Sequence, residues 1–134
     1  MSSANSLIEL VTRIAIDVHK ELGPSLLEST YEAIFVDELR LAGCQVATQV
    51  LLAVPYKGRV YQQAYRLDML LENQLVVELK CTERVAPIHS RQVLTYLRCL
   101  KLRHGLVVNM GLERAIDGID RVVNFRVPPE PGDS

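Results

Sequence analysis

Apolar residues at Leu7, Ile8, Val11, Ile14, Ala15, Val18 and Leu22 recur at steps of three and four, which predicts an amphipathic helix from about Ser6 to Leu22. Ser6 and Glu9 have the spacing of a capping box at its start. Gly23-Pro24 closes it, because proline cannot continue the hydrogen-bond ladder and glycine tolerates a left-handed cap. Tyr31, Ile34, Phe35, Glu38 and Leu39 keep the helical spacing and predict a second helix from about Leu26 to Ala42, with Gly43 after its end. From Gln45 the period changes to short β-rich runs: Val46 to Val54, Val60 to Leu71 and Leu75 to Cys81. Tyr56-Lys57-Gly58-Arg59 and Glu72-Asn73-Gln74 are the turns between them. A third helix is expected after Pro87, from Ile88 to Leu102, and Gly105 opens a further apolar run to Met110. Arg121 to Val127 is a candidate for a last edge strand, and the end, PPEPGDS, reads as a disordered tail over 128–134.

A strand, a helix and another strand in succession make a crossover, so Leu75 to Cys81 and Gly105 to Met110 should be parallel neighbours with a right-handed connection. The order ααβββαβ predicts an α/β sandwich with a mixed sheet. No internal repeat or linker divides the chain, and its 134 residues suit one domain over 1–127. Composition agrees: 49% hydrophobic and 23% charged residues are too apolar for disorder. No apolar run approaches the ~20 residues of a membrane span, and MSSANS lacks the features of a signal peptide, which points to the cytoplasm. Cys44, Cys81 and Cys99 include no CxxC pair, so reduced thiols are expected rather than a disulfide framework or a zinc or iron-sulfur site.

Net charge is −1, which argues against general nucleic-acid binding, yet the charges are unevenly spread. Nine basic and four acidic residues lie between Lys57 and His104, and six basic and twelve acidic residues lie elsewhere. A polyanion would therefore be met by the middle of the chain; the plainer reading is a solvated surface.

The candidate chemistry lies in YRLDMLLENQLVVELK, Tyr65 to Lys80. With a three-residue loop at Glu72 to Gln74, Leu71 faces Leu75, Asp68 lies opposite Glu78 and Arg66 lies opposite Lys80, all four on one face. Leu67, Met69 and Leu71 would join Leu75, Val77 and Leu79 on the other, core face. Directly opposed carboxylates repel unless a cation bridges them. Mg²⁺ takes oxygen ligands of this kind, and Lys80 would stand beside the site. The alternative is that this face is simply wet, although Leu70 and Val76 between the charges speak against that. On the third helix His89, Gln92 and Tyr96 form one stripe, readable as a polar helix face or as part of the site.

An Asp, about ten residues, then Glu-x-Lys on the next strand resembles the PD-(D/E)XK nuclease superfamily. More narrowly, VHKELGPSLLESTYEA, YRLDMLLE, VVELK, IHSRQVLTYL and GLVVNM, in this order over about four fifths of the chain, look like the small bacterial GxxExxY proteins. The resemblance implies a restriction-endonuclease-like core and a metal-dependent nuclease hydrolysing phosphodiester bonds of DNA through an Mg²⁺- or Mn²⁺-activated water. It implies Asp68 and Glu78 as metal ligands, the Leu79 carbonyl as a possible further oxygen, and Lys80 as the residue that orients or activates the water. Gln92 and Tyr96 match the QxxxY motif of the RecB-like branch; His89 and Arg66 would support the site, and Arg84, Arg91 and Arg98 are candidate phosphate contacts. The chain departs from the family where Ser25 replaces its name-giving glycine, and where the Asp68 block lacks the proline of the superfamily's label.

Glu28 has two readings. By resemblance it is a glutamate on an early helix that reaches the same metal; by spacing, Ser25 and Glu28 spell a capping box. His19 is similarly open between a partner of the site and a surface histidine. The whole protein also has a second reading, a catalytically silent nuclease fold serving as a nucleic-acid or protein-binding module or an accessory subunit.

Overall fold

The computed structural model describes residues 3–131, apart from the Gln63 side chain. Helix α1, Ala4–Leu22, buries Leu7, Val11, Ile14, Ala15 and Val18 along one stripe. Its cap is Ser3, whose hydroxyl accepts from the Ser6 amide at 3.2 Å, so the expected Ser6–Glu9 capping box does not form. With the helix beginning at Ala4, Ser6 already lies inside the first turn, and its hydroxyl donates to the Ser3 carbonyl. Gly23, at φ 73, ends the helix by donating its amide to His19.

Helix α2, Glu28–Leu41, starts two residues later than the spacing suggested. Tyr31 holds the linker: its hydroxyl donates to the Gly23 carbonyl and accepts from the Leu26 amide. Glu28 is consequently the first helical residue, and the residue before it, Leu27, makes no side-chain cap. A capping box needs glutamate at the third helical position, so Ser25 and Glu28 do not form one.

Among the described residues five strands form one sheet in the order β1-β2-β3-β4-β5. They are β1 Val46–Tyr56, β2 Arg59–Leu71, β3 Leu75–Lys80, β4 His104–Asn109 and β5 Ile119–Val123, with α3, Pro87–Leu100, between β3 and β4. Only β3 and β4 run parallel, as the crossover requires; the other neighbours are antiparallel. Both hairpin turns fall where expected, Lys57 and Gly58 at positive φ in the first, Glu72 and Asn73 in the second. α3 takes Pro87 into its first turn, where a missing amide costs nothing, and closes at Lys101 in a left-handed conformation. The last strand is Ile119–Val123 rather than Arg121 to Val127. It ends because buried Asn124 turns the chain, donating its amide to Arg103 and its side chain to the Leu102 carbonyl.

The sheet has an apolar layer on each face. One contains residues of α1 and α2 with Met69, Leu71, Leu75, Val77, Leu79, Leu106 and Val108. The other contains Val93, Tyr96 and Leu97 of α3 with Leu70, Val76, Val107 and Val122. Leu67 belongs to this second layer, not to the face of Met69 where strict alternation placed it. The reason lies between them: Gln49, in the paired stretch of β1, has φ 50, and the Asp68 amide is bonded by a side chain instead of a strand.

Among the described residues no helix is long and apolar enough to cross a membrane. The three cysteines are free. Of the expected tail, 128–131 have no regular structure, and Pro128, Glu130 and Pro131 border a cleft with Lys101–His104; 132–134 lie outside the described residues.

Candidate active site

The β2–β3 hairpin keeps the expected register, Leu71 opposite Leu75, Leu70 opposite Val76 and Met69 opposite Val77. One step further, at Asp68 and Glu78, side chains replace the backbone ladder. Glu78 Oε1 accepts the Asp68 amide at 2.8 Å, and Asp68 Oδ2 accepts the Leu79 amide at 3.0 Å. Each carboxylate thus uses one oxygen to fasten the opposite strand. Among the described residues, the other two oxygens, Asp68 Oδ1 and Glu78 Oε2, take no hydrogen bond.

Glu78 is 3% exposed, and its carboxyl pKa is raised from the ordinary 4.5 to about 7. Burial is the main cause and the Asp68 charge the second; the Asp68 amide and Lys80 pull the other way, and Glu28 adds to the rise. A pair so arranged takes on its second negative charge only near neutral pH, and a bound cation would favour that charge.

Lys80 follows two residues along β3, half-buried, and its charge reaches Glu28, Glu78 and His89. Glu28, in the first turn of α2, has its pKa raised by burial, opposed by Lys80 and reinforced by Asp68 and Glu32. α2 therefore delivers this carboxyl to the hairpin, and no capping bond holds it back. From α3, Tyr96 is buried, and its phenol is pushed up to about 12 by burial, then by Glu78, Asp68 and Tyr65, with a hydrogen bond to Gln92 working against them. His89 is lowered by burial and then by Lys80.

The structure thus joins Asp68 and Glu78 on the hairpin that carries Lys80, sets Tyr96 and Gln92 of α3 near them, and leaves Glu28 and His89 within range of the Lys80 charge. Leu79 sits beside them through the hydrogen bond its backbone amide donates to Asp68. Arg66 is exposed and the β2–β3 pairing stops short of it, so it does not face Lys80 across a ladder. Arg84, Arg91 and Arg98 are exposed. His19 is occupied elsewhere, its Nε2 at 2.7 Å from the Leu112 carbonyl.

Two contributors escaped the sequence reading. Asn109 is buried at the end of β4; its Oδ1 accepts the amides of Thr82 and Gly111 at 3.0 Å each, which anchors the chain just after Lys80. A single polar residue closing the run GLVVN was the available signal. Tyr65 lies edge-on against Tyr96 at 5.7 Å between ring centres.

Among the described residues, no three His, Cys, Asp or Glu side chains are gathered into one metal-holding cluster. Asp68 and Glu78 make a pair, and Glu28 feels their charge from α2 without joining it. The donor chemistry fits a hard divalent cation: two carboxylates, each with one oxygen spare, crowded enough to raise a pKa. The two largest clefts described, about 320 Å³ and about 300 Å³, contain none of the candidate residues.

A family model described as the PD-(D/E)XK nuclease superfamily matches residues 5–122. No curated protein sequence matches the chain. Among solved structures, the "Crystal structure of SSO0001" is similar at a TM-score of 0.42 and 21% identity, over 87% of this chain and 62% of that one. The chain therefore spans less than two thirds of that structure's length, and so slight a likeness says nothing of function. The family match runs through both carboxylates, Lys80 and α3, and the α/β architecture with its mixed sheet is restriction-endonuclease-like: this chain belongs to the PD-(D/E)XK nuclease superfamily.

Proposed function

We propose that the protein is a metal-dependent nuclease that hydrolyses phosphodiester bonds of DNA, working as a single domain over 1–127 in the cytoplasm. The observation that carries this reading is the Asp68–Glu78 pair, two carboxylates joined across two strands whose crowding and burial raise the proton affinity of Glu78 and which a divalent cation would neutralise. Asp68 and Glu78 would hold Mg²⁺ or Mn²⁺, with Glu28 and the Leu79 carbonyl as further oxygens. Such an ion supplies charge neutralisation and Lewis acidity at the scissile phosphate.

The chain's own groups do the rest. Lys80 places an ammonium beside the carboxylates, where it orients the attacking water and offsets charge that builds on the phosphate oxygens. Tyr96 keeps its proton at any working pH, since its phenol is pushed up to about 12, and so it serves as a donor toward the phosphate. Gln92 orients that hydroxyl, which supports placing the chain in the RecB-like branch with its QxxxY motif. His89 stays neutral near pH 7, because burial and Lys80 both lower its pKa. The ordered blocks around Glu28 and Tyr31 support the narrower GxxExxY assignment, with Ser25 in the glycine's place.

Cleavage of single-stranded, duplex and branched DNA, measured with Mg²⁺ and with Mn²⁺, tests the proposal. Wild-type protein should cut at least one of them, and Lys80→Ala should slow cutting by at least about 100-fold while metal binding persists. Absence of cutting of any of the three by a folded protein that binds nucleic acid would favour a catalytically silent module instead.

A further inference from the structure

β1 and β2 are longer than their neighbours, with 11 and 13 residues against 6 in β3. β2 pairs with β3 only at Met69, Leu70 and Leu71. From Leu67 back to the turn at Lys57-Gly58, β2 therefore has β1 on one side and, among the described residues, no strand on the other. The base of this two-stranded ribbon is anchored: Leu52 and Leu67 pack in the layer under α3, and Tyr65 touches Tyr96. Beyond that point the register shifts between Leu52 and Val54, and the residues become exposed through the turn. At ~3.3 Å per residue, the tip at Arg59 stands roughly 30 Å from Asp68 along the strand.

The composition of this ribbon is one-sided. No acidic residue occurs from 39 to 67, in a chain whose acidic residues, 16 in all, slightly outnumber its 15 basic ones. Lys57, Arg59 and Arg66 are all exposed. Arg59 lies near the rings of both Tyr56 and Tyr61, 5.8 and 5.9 Å from their centres, and Lys57 lies 5.3 Å from Tyr56. Those two rings are 53% and 48% exposed.

Positive charges on a bare strand edge also discourage edge-to-edge pairing, but that function needs one lysine and not the exclusion of every carboxylate. A second copy of the chain is a poor occupant, because two such ribbons would bring like charges together. Cations interleaved with exposed tyrosines suit a polyanion whose flat bases and sugars offer apolar faces. A two-stranded ribbon also has the width to enter a major groove.

We infer that the β1–β2 ribbon is a nucleic-acid-gripping arm that holds the strand or duplex on the approach to the Asp68–Glu78 pair, through Lys57, Arg59, Tyr56 and Tyr61. This rests on the nuclease reading for its substrate but not for its own test. At about 3.4 Å per nucleotide step the arm reaches about nine nucleotides from the site, so long substrates feel it and very short ones do not.

The test is fluorescence anisotropy with labelled single-stranded and duplex DNA in chelator, which removes cleavage, comparing wild type with the double variant Lys57→Glu/Arg59→Glu and with Tyr56→Ala/Tyr61→Ala. Circular dichroism melts should show both variants folded, since all four substituted residues are exposed. Charge reversal should weaken binding of oligonucleotides of about 30 nucleotides at least about tenfold and flatten the salt dependence by about two phosphate contacts; oligonucleotides of about 6 nucleotides should bind alike. The tyrosine variant should weaken binding without changing the salt slope.

Unchanged affinity, no binding by wild type, or a variant that changes only the oligomeric state in sedimentation would overturn the arm. Arm-dependent binding without metal-dependent cutting would retain the arm and overturn the nuclease reading; cutting of long DNA with charge reversal neutral would do the reverse.

Discussion

Glu78→Gln should make the metal-free protein more stable above neutral pH and leave it unchanged in acid. The carboxyl is 3% exposed, and its pKa rises from 4.5 to about 7 on folding. The folded chain therefore holds this proton more tightly than the unfolded one. Its contribution to stability is fully present below pH 4.5 and is lost as pH rises through about 7. At about 1.4 kcal/mol for each tenfold change in proton affinity, the loss is about 3 kcal/mol. Glutamine keeps the Oε1 that accepts the Asp68 amide at 2.8 Å and carries no charge, so the difference between variant and wild type should grow from zero to about 3 kcal/mol across that window. Urea denaturation in chelator at a series of pH values measures it directly, because the remaining titrating groups are common to both proteins. A difference that does not change with pH, or a wild type that gains on the variant in alkali, would mean that folding does not raise the Glu78 pKa. Mg²⁺ should close most of this gap at pH 8, since ligand at about 100 times its dissociation constant adds about 2.7 kcal/mol to the protein that binds it.

Glu28→Gln should weaken metal affinity in calorimetry while leaving the thermal midpoint nearly unchanged, because Glu28 makes no cap to lose; a lower midpoint with intact affinity would return Glu28 to a helix-start role. Tyr96→Phe keeps the ring against Tyr65 and removes the hydroxyl beside Gln92, so stability should change by about 1 kcal/mol or less while cutting slows about tenfold or more. Gly118→Ala should cost about 1–3 kcal/mol in denaturant melts, because the new methyl would overlap the Asn109 carbonyl, and the strain lies on the residue that anchors the chain after Lys80.

Much of this fold is legible as periodicity. The stripe of α1, the change of period at Gln45 and the crossover into β4 all follow from where apolar residues recur. Asn73 and Gly58 mark turns because left-handed residues are needed there, and the Leu71–Leu75 register follows from the loop length. From that register the carboxylate pair can be read before any coordinate is known. What periodicity does not carry is the substitution of side chains for backbone. Leu67 leaves the face of Met69 because Glu78 takes the Asp68 amide and Gln49 adopts a left-handed conformation, and neither event has a local signature. Helix starts fail for a related reason. Ser3 and Ser6 are both plausible caps by spacing, and Tyr31, reaching back to Gly23, decides where α2 begins. Asn109 was hidden because its partners, Thr82 and Gly111, lie on either side of the crossover.

Isothermal titration with Mg²⁺ and Mn²⁺ decides whether Asp68 and Glu78 form a divalent-cation site. Wild-type protein should bind at millimolar concentration or tighter, with affinity rising from pH 6 to 8 as Glu78 gives up its proton. Asp68→Ala and Glu78→Ala, shown folded by circular dichroism, should not bind. Absence of binding by the wild type at millimolar metal, or equal binding by the two variants, would mean that the pair is not a cation site.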